Sequence, residues 1–167
     1  MNELTEQQLL NQVQNAYLPL IHLDEGVEVA TTIIVKLAPL TPDQLIRNLI
    51  ATGASWRERL IGLVLATQRG IAAFADAMIV SLNDPRGISI VPTCAALAVA
   101  VKHFGYKYSP DRTSALDRSL FDGELGYALD CLHAYLGLSK SSSQDKGPNY
   151  GQEFSQHVCF YERLCGV

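Results

Sequence analysis

The sequence predicts an all-α protein, built either as a short irregular α-solenoid of helical hairpins or as a compact helical bundle. Three observations support this fold class. Two complete helix-start patterns, at Thr41 and Ser55, stand 14 residues apart. Apolar residues follow helical spacing over most of the chain. Only one segment has the composition of a strand, and it has no second strand with which to pair.

The composition fits one folded domain covering residues 1–167. The chain is 48% hydrophobic, which is enough to bury a sizeable core at this length. Its net charge of −4 and pI of about 5.5 argue against a nucleic-acid partner, because phosphate binding requires a basic face. Acidic side chains are concentrated in residues 1–35 and 111–130. They form either solvated helix faces or a surface that meets a basic partner.

Targeting and redox features predict a cytoplasmic protein. The N-terminus lacks a positive region followed by an apolar stretch, so no secretion signal is expected. The longest apolar run, residues 94–101, is too short to span a bilayer, and no membrane partner is expected. The four cysteines include no Cys-x-x-Cys pair, which favours reduced thiols in a cytosolic protein.

The N-terminal part of the chain holds one clear helix and one ambiguous segment. Thr5 and Gln8 form a capping box, and apolar residues then follow at helical spacing as far as residues 24–26. Residues 27–38 are rich in β-branched side chains, which favours a strand. We interpret them as a helix, because a lone strand leaves its backbone groups without hydrogen-bond partners.

A helical hairpin is predicted next. Thr41 is expected to cap its first helix, which ends at Gly53. Ser55 and Glu58 form a capping box for the second helix, which ends at Gly70. Each helix carries one apolar stripe, so the two are expected to pack against each other.

The later segments continue the helical pattern. Residues 93–104 are largely apolar on every side and should be buried among the other helices. A helix is predicted to begin at Ser109, with Leu116 and Leu120 facing inward, and residues 139–151 are predicted to form a mobile loop. Three further helices are expected at residues 71–82, 125–138 and 152–164.

The spacing of the helix pairs resembles that of repeat proteins. Pairs begin near Thr41, Ile71 and Ser109, at intervals of 30 to 38 residues. Such intervals are typical of helical repeats, in which each unit buries its apolar face against its neighbours. No residue-by-residue repeat accompanies these intervals, so a compact bundle remains an alternative. The interval itself favours the solenoid.

Three pieces of sequence also resemble a known family. They are Leu40-Thr41-Pro42 with Leu45 and Leu49, residues 56–62 with Arg69, and residues 94–98 with Phe104-Gly105. Together they are similar to a family of small bacterial proteins of unknown function with HEAT-like helical repeats, over about residues 15–137. Residues 88–92 depart from the more polar segment of that family. The resemblance implies an immunity protein or a partner-binding adaptor of a bacterial toxin system.

No catalytic or metal-binding pattern is present, and no catalytic residue, cofactor or metal ligand is expected. His157 and Cys159, like Cys131 and His133, stand two residues apart, so each pair points to different sides of a helix. Cys94 lies near a predicted helix start but opens an apolar run, which favours a core position over a reactive thiolate. A small enzyme with a dispersed site of His, Cys and Asp residues stays an alternative.

The Trp56-Arg57-x-Arg59 string has two readings. Trp56 is expected to pack at the helix start, while Arg57 and Arg59 face solvent or bond carboxylates. Alternatively, an exposed Trp56 flanked by arginines would be an interface anchor. We favour packing, because the single tryptophan of a small helical protein usually serves its core.

The candidate partner-binding residues are two tyrosines and the acidic stretch that follows them. Tyrosines are enriched in interfaces, and a group of carboxylates complements a basic partner. Packing and interface roles are equally compatible with the tyrosines. The candidate residues are Tyr106, Tyr108, Asp117, Asp122 and Glu124.

Together these patterns favour a partner-binding protein over an enzyme. The leading hypothesis is an immunity protein that neutralises a bacterial toxin by occluding its active site, with a toxin domain of basic surface as the partner. The alternatives are the small enzyme and a regulatory adaptor within a larger complex.

Overall fold

The computed structural model describes residues 3–138 and 150–167, and within them the all-α fold class is confirmed. Eight α-helices and five short 3₁₀-helices make up the regular structure of these residues, which contain no strand. The α-helices are α1 (Glu6–Val13), α2 (Val27–Val35), α3 (Asp43–Thr52), α4 (Trp56–Arg69), α5 (Ala75–Asn83), α6 (Ile90–Phe104), α7 (Glu124–Tyr135) and α8 (Tyr150–Cys165).

Helix α6 forms the centre of the protein. Its residues from 90 to 100 are all buried, and it packs against α5, α7 and α8. This burial confirms the expectation for residues 93–100, whereas residues 102–104 are exposed, and the helix already begins at Ile90. Helix α8 returns to pack on both α6 and α4, so contacts are not confined to neighbouring units. The arrangement is therefore closer to a compact bundle than to a linear solenoid.

The apolar stretch around α6 is longer than the run seen in the sequence. Residues Gly87–Phe104 form an 18-residue helical stretch that is long and apolar enough to cross a membrane. In the fold, 67% of this stretch is buried. The core helix of a folded protein passes the same test of length and composition, because a helix that is covered on most sides carries apolar side chains on most sides. Its position in the core accounts for the apolar character of α6.

The α3–α4 hairpin forms as the sequence predicts. Ser55 and Glu58 make the capping box of α4, and Gly53 and Gly70 follow the ends of the two helices. The helices approach closely at Gly62, where an added Cβ would lie 2.8 Å from a side-chain carbon of α3. A glycine at this position thus permits the tight packing of the pair.

Two expectations about residues 27–42 have different outcomes. The helical interpretation of the β-branched stretch is confirmed, since it contains α2. The expected cap at Thr41 is wrong: Pro42 takes the cap position, and the Thr41 hydroxyl donates to the carbonyl oxygen of Leu37 at 2.8 Å. Threonine hydroxyls bond readily to the preceding turn, so the same residue type serves either role.

The helix predicted to begin at Ser109 is wrong. Only a 3₁₀ turn forms, at Pro110–Thr113, and the chain then runs through turns until α7. The Asp117 carboxylate accepts hydrogen bonds from the backbone N–H and the hydroxyl of Ser119, at 3.0 and 2.6 Å. Such local bonds compete with helix formation. Leu120 is consequently 37% exposed instead of facing inward.

The remaining helix predictions differ mainly in their bounds. Residues 71–82 form a 3₁₀ turn followed by most of α5, and α7 begins one residue before the predicted range 125–138 and ends three residues before that range does. Residues 139–149 of the predicted loop lie outside the described residues. Tyr150 and Gly151, which the loop prediction included, belong to the first turn of α8.

A buried arginine joins the ends of two helices to α4. Arg59 is only 1% exposed, and its Nε donates to the carbonyl oxygen of Gly53 at 3.2 Å. Its Nη1 donates to the carbonyl oxygens of Ser81 and Asp84, at 2.9 and 2.6 Å. Its Nη2 lies 3.9 Å from the Asp84 carboxylate. Burial lowers the pKa of Arg59 from its ordinary value.

The neighbours of Arg59 in the Trp56-Arg57-x-Arg59 string behave as predicted. Trp56 is half-buried and packs edge-on against Tyr17, with ring centroids 5.5 Å apart. Arg57 stays exposed, with its guanidinium 5.6 Å from the centre of the same tyrosine ring. Arg59 is the exception to the solvent-facing expectation, because a step of two residues turns it to the inner side of α4.

Arg59→Met is expected to lower the free energy of unfolding by about 3–5 kcal/mol, because it removes the hydrogen bonds of a buried guanidinium to the carbonyl oxygens of Gly53, Ser81 and Asp84. Arg57→Met is the matched control and should change it by no more than about 0.5 kcal/mol, since Arg57 is exposed. Urea denaturation followed by circular dichroism measures both. Equal, small losses for the two variants would contradict a structural role for Arg59.

Candidate interaction surface

The turns of residues 114–123 (the 114–123 loop) are fixed against α7. The carbonyl oxygen of Arg118 accepts from the Gly126 N–H at 3.1 Å, and the Arg118 guanidinium donates to the Gly126 carbonyl oxygen at 3.0 Å. The same guanidinium forms an ion pair with Asp130. A Cβ at Gly126 would lie 2.9 Å from the Arg118 carbonyl oxygen, so glycine permits this contact.

The tip of the 114–123 loop has a left-handed backbone. Phe121, Asp122 and Gly123 have φ angles of 55°, 56° and 90°. Such angles cost residues other than glycine about 1 kcal/mol or more each, so they persist only where the surroundings enforce them. Backbone bonds hold this tip, from Gly123 to Ser119 at 3.0 Å and from Glu124 to Phe121 at 3.1 Å. The reversal turns the Phe121 ring toward solvent.

Three exposed apolar residues lie on the two segments that meet at this tip, and together they are called the apolar patch. Ile88, Leu120 and Phe121 are 38%, 37% and 47% exposed. The Phe121 ring lies beside Gly87, where an added Cβ would be 3.5 Å from it. The turn that carries Gly87 and Ile88 is attached to the core by the hydrogen bonds of Arg59. The apolar patch is thus carried by two segments that are each anchored to helices.

The two tyrosines predicted as contact residues turn their hydroxyls toward the protein. Tyr106 donates to a carboxylate oxygen of Asp76 at 2.5 Å, and Arg112 binds both of these groups. The bonds from Tyr106 and Arg112 lower the pKa of Asp76. The Tyr108 hydroxyl lies 2.8 Å from Nε2 of His133 on α7. Both tyrosines are half-buried and hold the chain between α6 and α7 in place.

The three predicted acidic residues differ in their surroundings. Asp117 and Asp122 are exposed on the 114–123 loop. Hydrogen bonds from Ser119 lower the pKa of Asp117, which keeps its charge fixed at neutral pH. Glu124 is half-buried, and its pKa is raised to about 7, first by burial and then by the charge of Glu153. Asp117 and Asp122 therefore supply the negative charge beside the apolar patch, while Glu124 is only partly ionised near pH 7.

The apolar patch is not evident from the sequence pattern. Leu120 fits the inward stripe of a helix that does not form, and Ile88 lies in a short turn segment. The available signal is Asp122-Gly123, a pair typical of turns, directly after two apolar residues. This order places Phe121 at a chain reversal, where a side chain is readily left exposed.

The candidates for metal or nucleophilic chemistry do not come together. Within residues 3–138 and 150–167, no group of three or more His, Cys, Asp or Glu side chains is placed to hold a metal ion. His157 is buried and its pKa falls to about 4, whereas Cys159, two residues later, is exposed. Cys94 is fully buried, which raises the pKa of its thiol well above the ordinary value. The environments of His157 and Cys94 are those of core residues.

Comparison with protein-family models, with curated proteins and with solved structures finds no match. The resemblance to HEAT-like bacterial proteins therefore stays an interpretation of the sequence. Functional inference rests on the chemistry of the described surface, since a helical fold by itself does not specify an activity.

Glu124 is expected to make stability fall as the pH rises, whereas His157, whose pKa is lowered from 6.5 to about 4 by burial, makes stability rise over that lower range. An acid whose pKa rises on folding, here from 4.5 to about 7, takes up a proton in the folded state, so stability is lost as the pH rises through this window. We expect the Glu124 contribution to the free energy of unfolding to fall by about 1–2 kcal/mol between about pH 5 and pH 8, since solvent screens a half-buried carboxylate. Glu124→Gln should remove most of this fall.

Urea titrations at the two pH values measure the effect. Asp122→Asn is the matched control, because it removes an exposed acid two residues away and should keep the wild-type pH dependence. An unchanged pH dependence in Glu124→Gln would show that another group controls it.

Proposed function

We propose that the protein binds another protein through the apolar patch and the adjoining carboxylates of Asp117 and Asp122. The observation that carries this proposal is the exposure of Ile88, Leu120 and Phe121 on anchored segments. In its most specific form, the proposal is an immunity protein that occludes the active site of a bacterial toxin in the cytoplasm. No cofactor takes part in such a mechanism.

The apolar patch has the properties of an interface centre. Burying a large apolar side chain contributes about 1.5–3 kcal/mol, and aromatic anchors dominate most interfaces. The 114–123 loop is held by Arg118 and by its own backbone hydrogen bonds, so little conformational entropy is lost when a partner binds. Phe121 is thus the side chain expected to contribute most to affinity.

The charge beside the apolar patch favours a basic partner. Asp117 and Asp122 are exposed, and the whole chain carries a net charge of −4. Three arginines do not neutralise the charge of these two acids directly, because each arginine forms an ion pair with a different carboxylate. The pairs are Arg86 with Asp84, Arg112 with Asp76, and Arg118 with Asp130. A toxin with a basic substrate groove, such as a nuclease, has the complementary charge.

Phe121→Asp is expected to weaken binding of the partner by about 30-fold or more, because it removes an aromatic anchor and places a charge in a desolvated contact. The control is Val29→Asp, which alters an apolar side chain that is 66% exposed on α2, and it should change Kd by no more than about twofold. The partner is first captured from producing cells with tagged protein and identified by mass spectrometry. Equal binding by both variants would place the interface elsewhere.

Asp117→Asn/Asp122→Asn is expected to slow association by several-fold, about 3- to 10-fold, at low salt, because exposed charges act mainly on the association rate. Asparagine tolerates the left-handed backbone at residue 122, so the fold should be retained. The rates of the variant and the wild type should converge near about 0.5 M salt, where screening is strong. Surface-based binding kinetics across a salt series measures this, and identical rates at low salt would exclude the electrostatic contribution.

The immunity role has its own test. Co-expression of the protein should restore growth to cells that produce the captured partner, and Phe121→Asp should lose this protection. A captured partner that is harmless to cells would contradict the toxin assignment and favour an adaptor. The proposal that the partner binds at the apolar patch would still stand.

A further inference from the structure

A concave site lies between residues 22–28 and the outer face of α8, apart from the apolar patch. This site (the α8 groove) has a volume of about 630 Å³, within the range of small-molecule sites. One wall carries Leu23, Val27 and Glu28. The opposite wall carries residues of α8 at helical spacing, and its lining includes Ser155, Gln156, Cys159, Phe160 and Arg163.

Two contacts join the walls of the α8 groove. The buried His157 ring places Nε2 3.4 Å from the carbonyl oxygen of Ile21, just before the first wall. At the rim, Arg163 forms an ion pair with Glu28 at 2.7 Å. Leu23 and Gly26 have left-handed φ angles of 54° and 91°, which turn this part of the chain to face α8. The concavity is therefore part of the folded structure and does not need a ligand to form.

The lining of the α8 groove combines apolar side chains, uncharged polar side chains and the imidazole of His22 with one pair of opposite charges. Leu23, Val27 and Phe160 supply apolar surface. Glu28 and Arg163 are 69% and 58% exposed, and exposed pairs of this kind contribute little to stability. A ligand can therefore replace or extend the pair at small cost.

The charge pair narrows the class of ligand. A purely anionic ligand has to compete with Glu28 for Arg163, and a purely cationic one has to compete with Arg163 for Glu28. An uncharged apolar ligand leaves both charges unused. A zwitterion satisfies both, with its ammonium group at Glu28 and its carboxylate at Arg163, where charge-assisted hydrogen bonds are strong.

We propose that the α8 groove binds a zwitterionic amino-acid-type ligand with an apolar side chain, either a free amino acid or a short peptide. The carboxylate of the ligand pairs with Arg163, its ammonium group pairs with Glu28, and its side chain lies against Leu23, Val27 and Phe160. This site is separate from the apolar patch, and its occupancy does not depend on the proposed partner.

Cys159 provides a built-in probe of occupancy. Its thiol is free and exposed within the α8 groove, whereas Cys94 is buried. The rate of alkylation of Cys159 by N-ethylmaleimide, followed by peptide mass spectrometry, therefore reports whether the groove is filled. The probes are L-leucine and the dipeptide leucyl-leucine. Glycine, which lacks the apolar side chain, and N-acetyl-leucine amide, which lacks both charges, are the control compounds.

We expect leucine or leucyl-leucine to slow alkylation of Cys159 about tenfold at a concentration about ten times its Kd. Protection by leucine assigns the groove to free amino acids, and protection by the dipeptide alone assigns it to peptides. Glu28→Gln and Arg163→Gln should abolish protection while circular dichroism stays unchanged. Arg69→Gln is the matched control and should retain it, since Arg69 forms a similar exposed pair with Asp43 at 2.8 Å outside the groove.

Several results would overturn the proposal. Alkylation at the unprotected rate with both leucine and leucyl-leucine would exclude this ligand class. If N-acetyl-leucine amide protected Cys159 as well as leucine does, the charged groups would play no part in binding. If glycine protected Cys159 as well as leucine does, the apolar lining would play no part. Retained protection in both Glu28→Gln and Arg163→Gln would exclude the charge pair as the recognition element.

Discussion

Arg59 supplies donors to the ends of α3 and α5, where helical geometry leaves backbone carbonyl oxygens without partners. The guanidinium also places a positive charge at the two helix ends that carry partial negative charge. Desolvation disfavours this charge, and the hydrogen bonds to the carbonyl oxygens of Gly53, Ser81 and Asp84 offset that cost. One side chain of α4 thereby fixes the ends of both neighbouring helices and the turn that follows α5.

The same interaction supports the candidate interaction surface. The turn after α5 begins at Asp84, which accepts from Arg59, and it carries Gly87 and Ile88 against the ring of Phe121. The other side of the surface is tied to α7 by Arg118. The exposed side chains are therefore displayed by a preorganised scaffold, which is the condition under which a small apolar area gives useful affinity.

Local signals in the sequence predicted most helices, because capping and amphipathic spacing act within a few residues. The capping boxes at Thr5 and Ser55 and the helix in residues 27–38 are examples. The wrong predictions concern side chains that can form hydrogen bonds either with nearby residues or with residues far away in the sequence. Asp117 bonds to Ser119 and stops a helix, and Arg59 finds acceptors more than 20 residues away. The candidate surface was predicted only in part for the same reason, since the exposure of Phe121 depends on a backbone reversal that the spacing does not encode.

The packing of α8 on α6 has a consequence for the order in which the protein is made. Helix α6 leaves the ribosome well before α8, so the apolar stretch Gly87–Phe104 is without one of its main covering helices until the last described residues emerge. Apolar surface that is exposed at such a stage is the kind through which incompletely folded chains aggregate. The packing around α6 is therefore completed only after α8 has been synthesised.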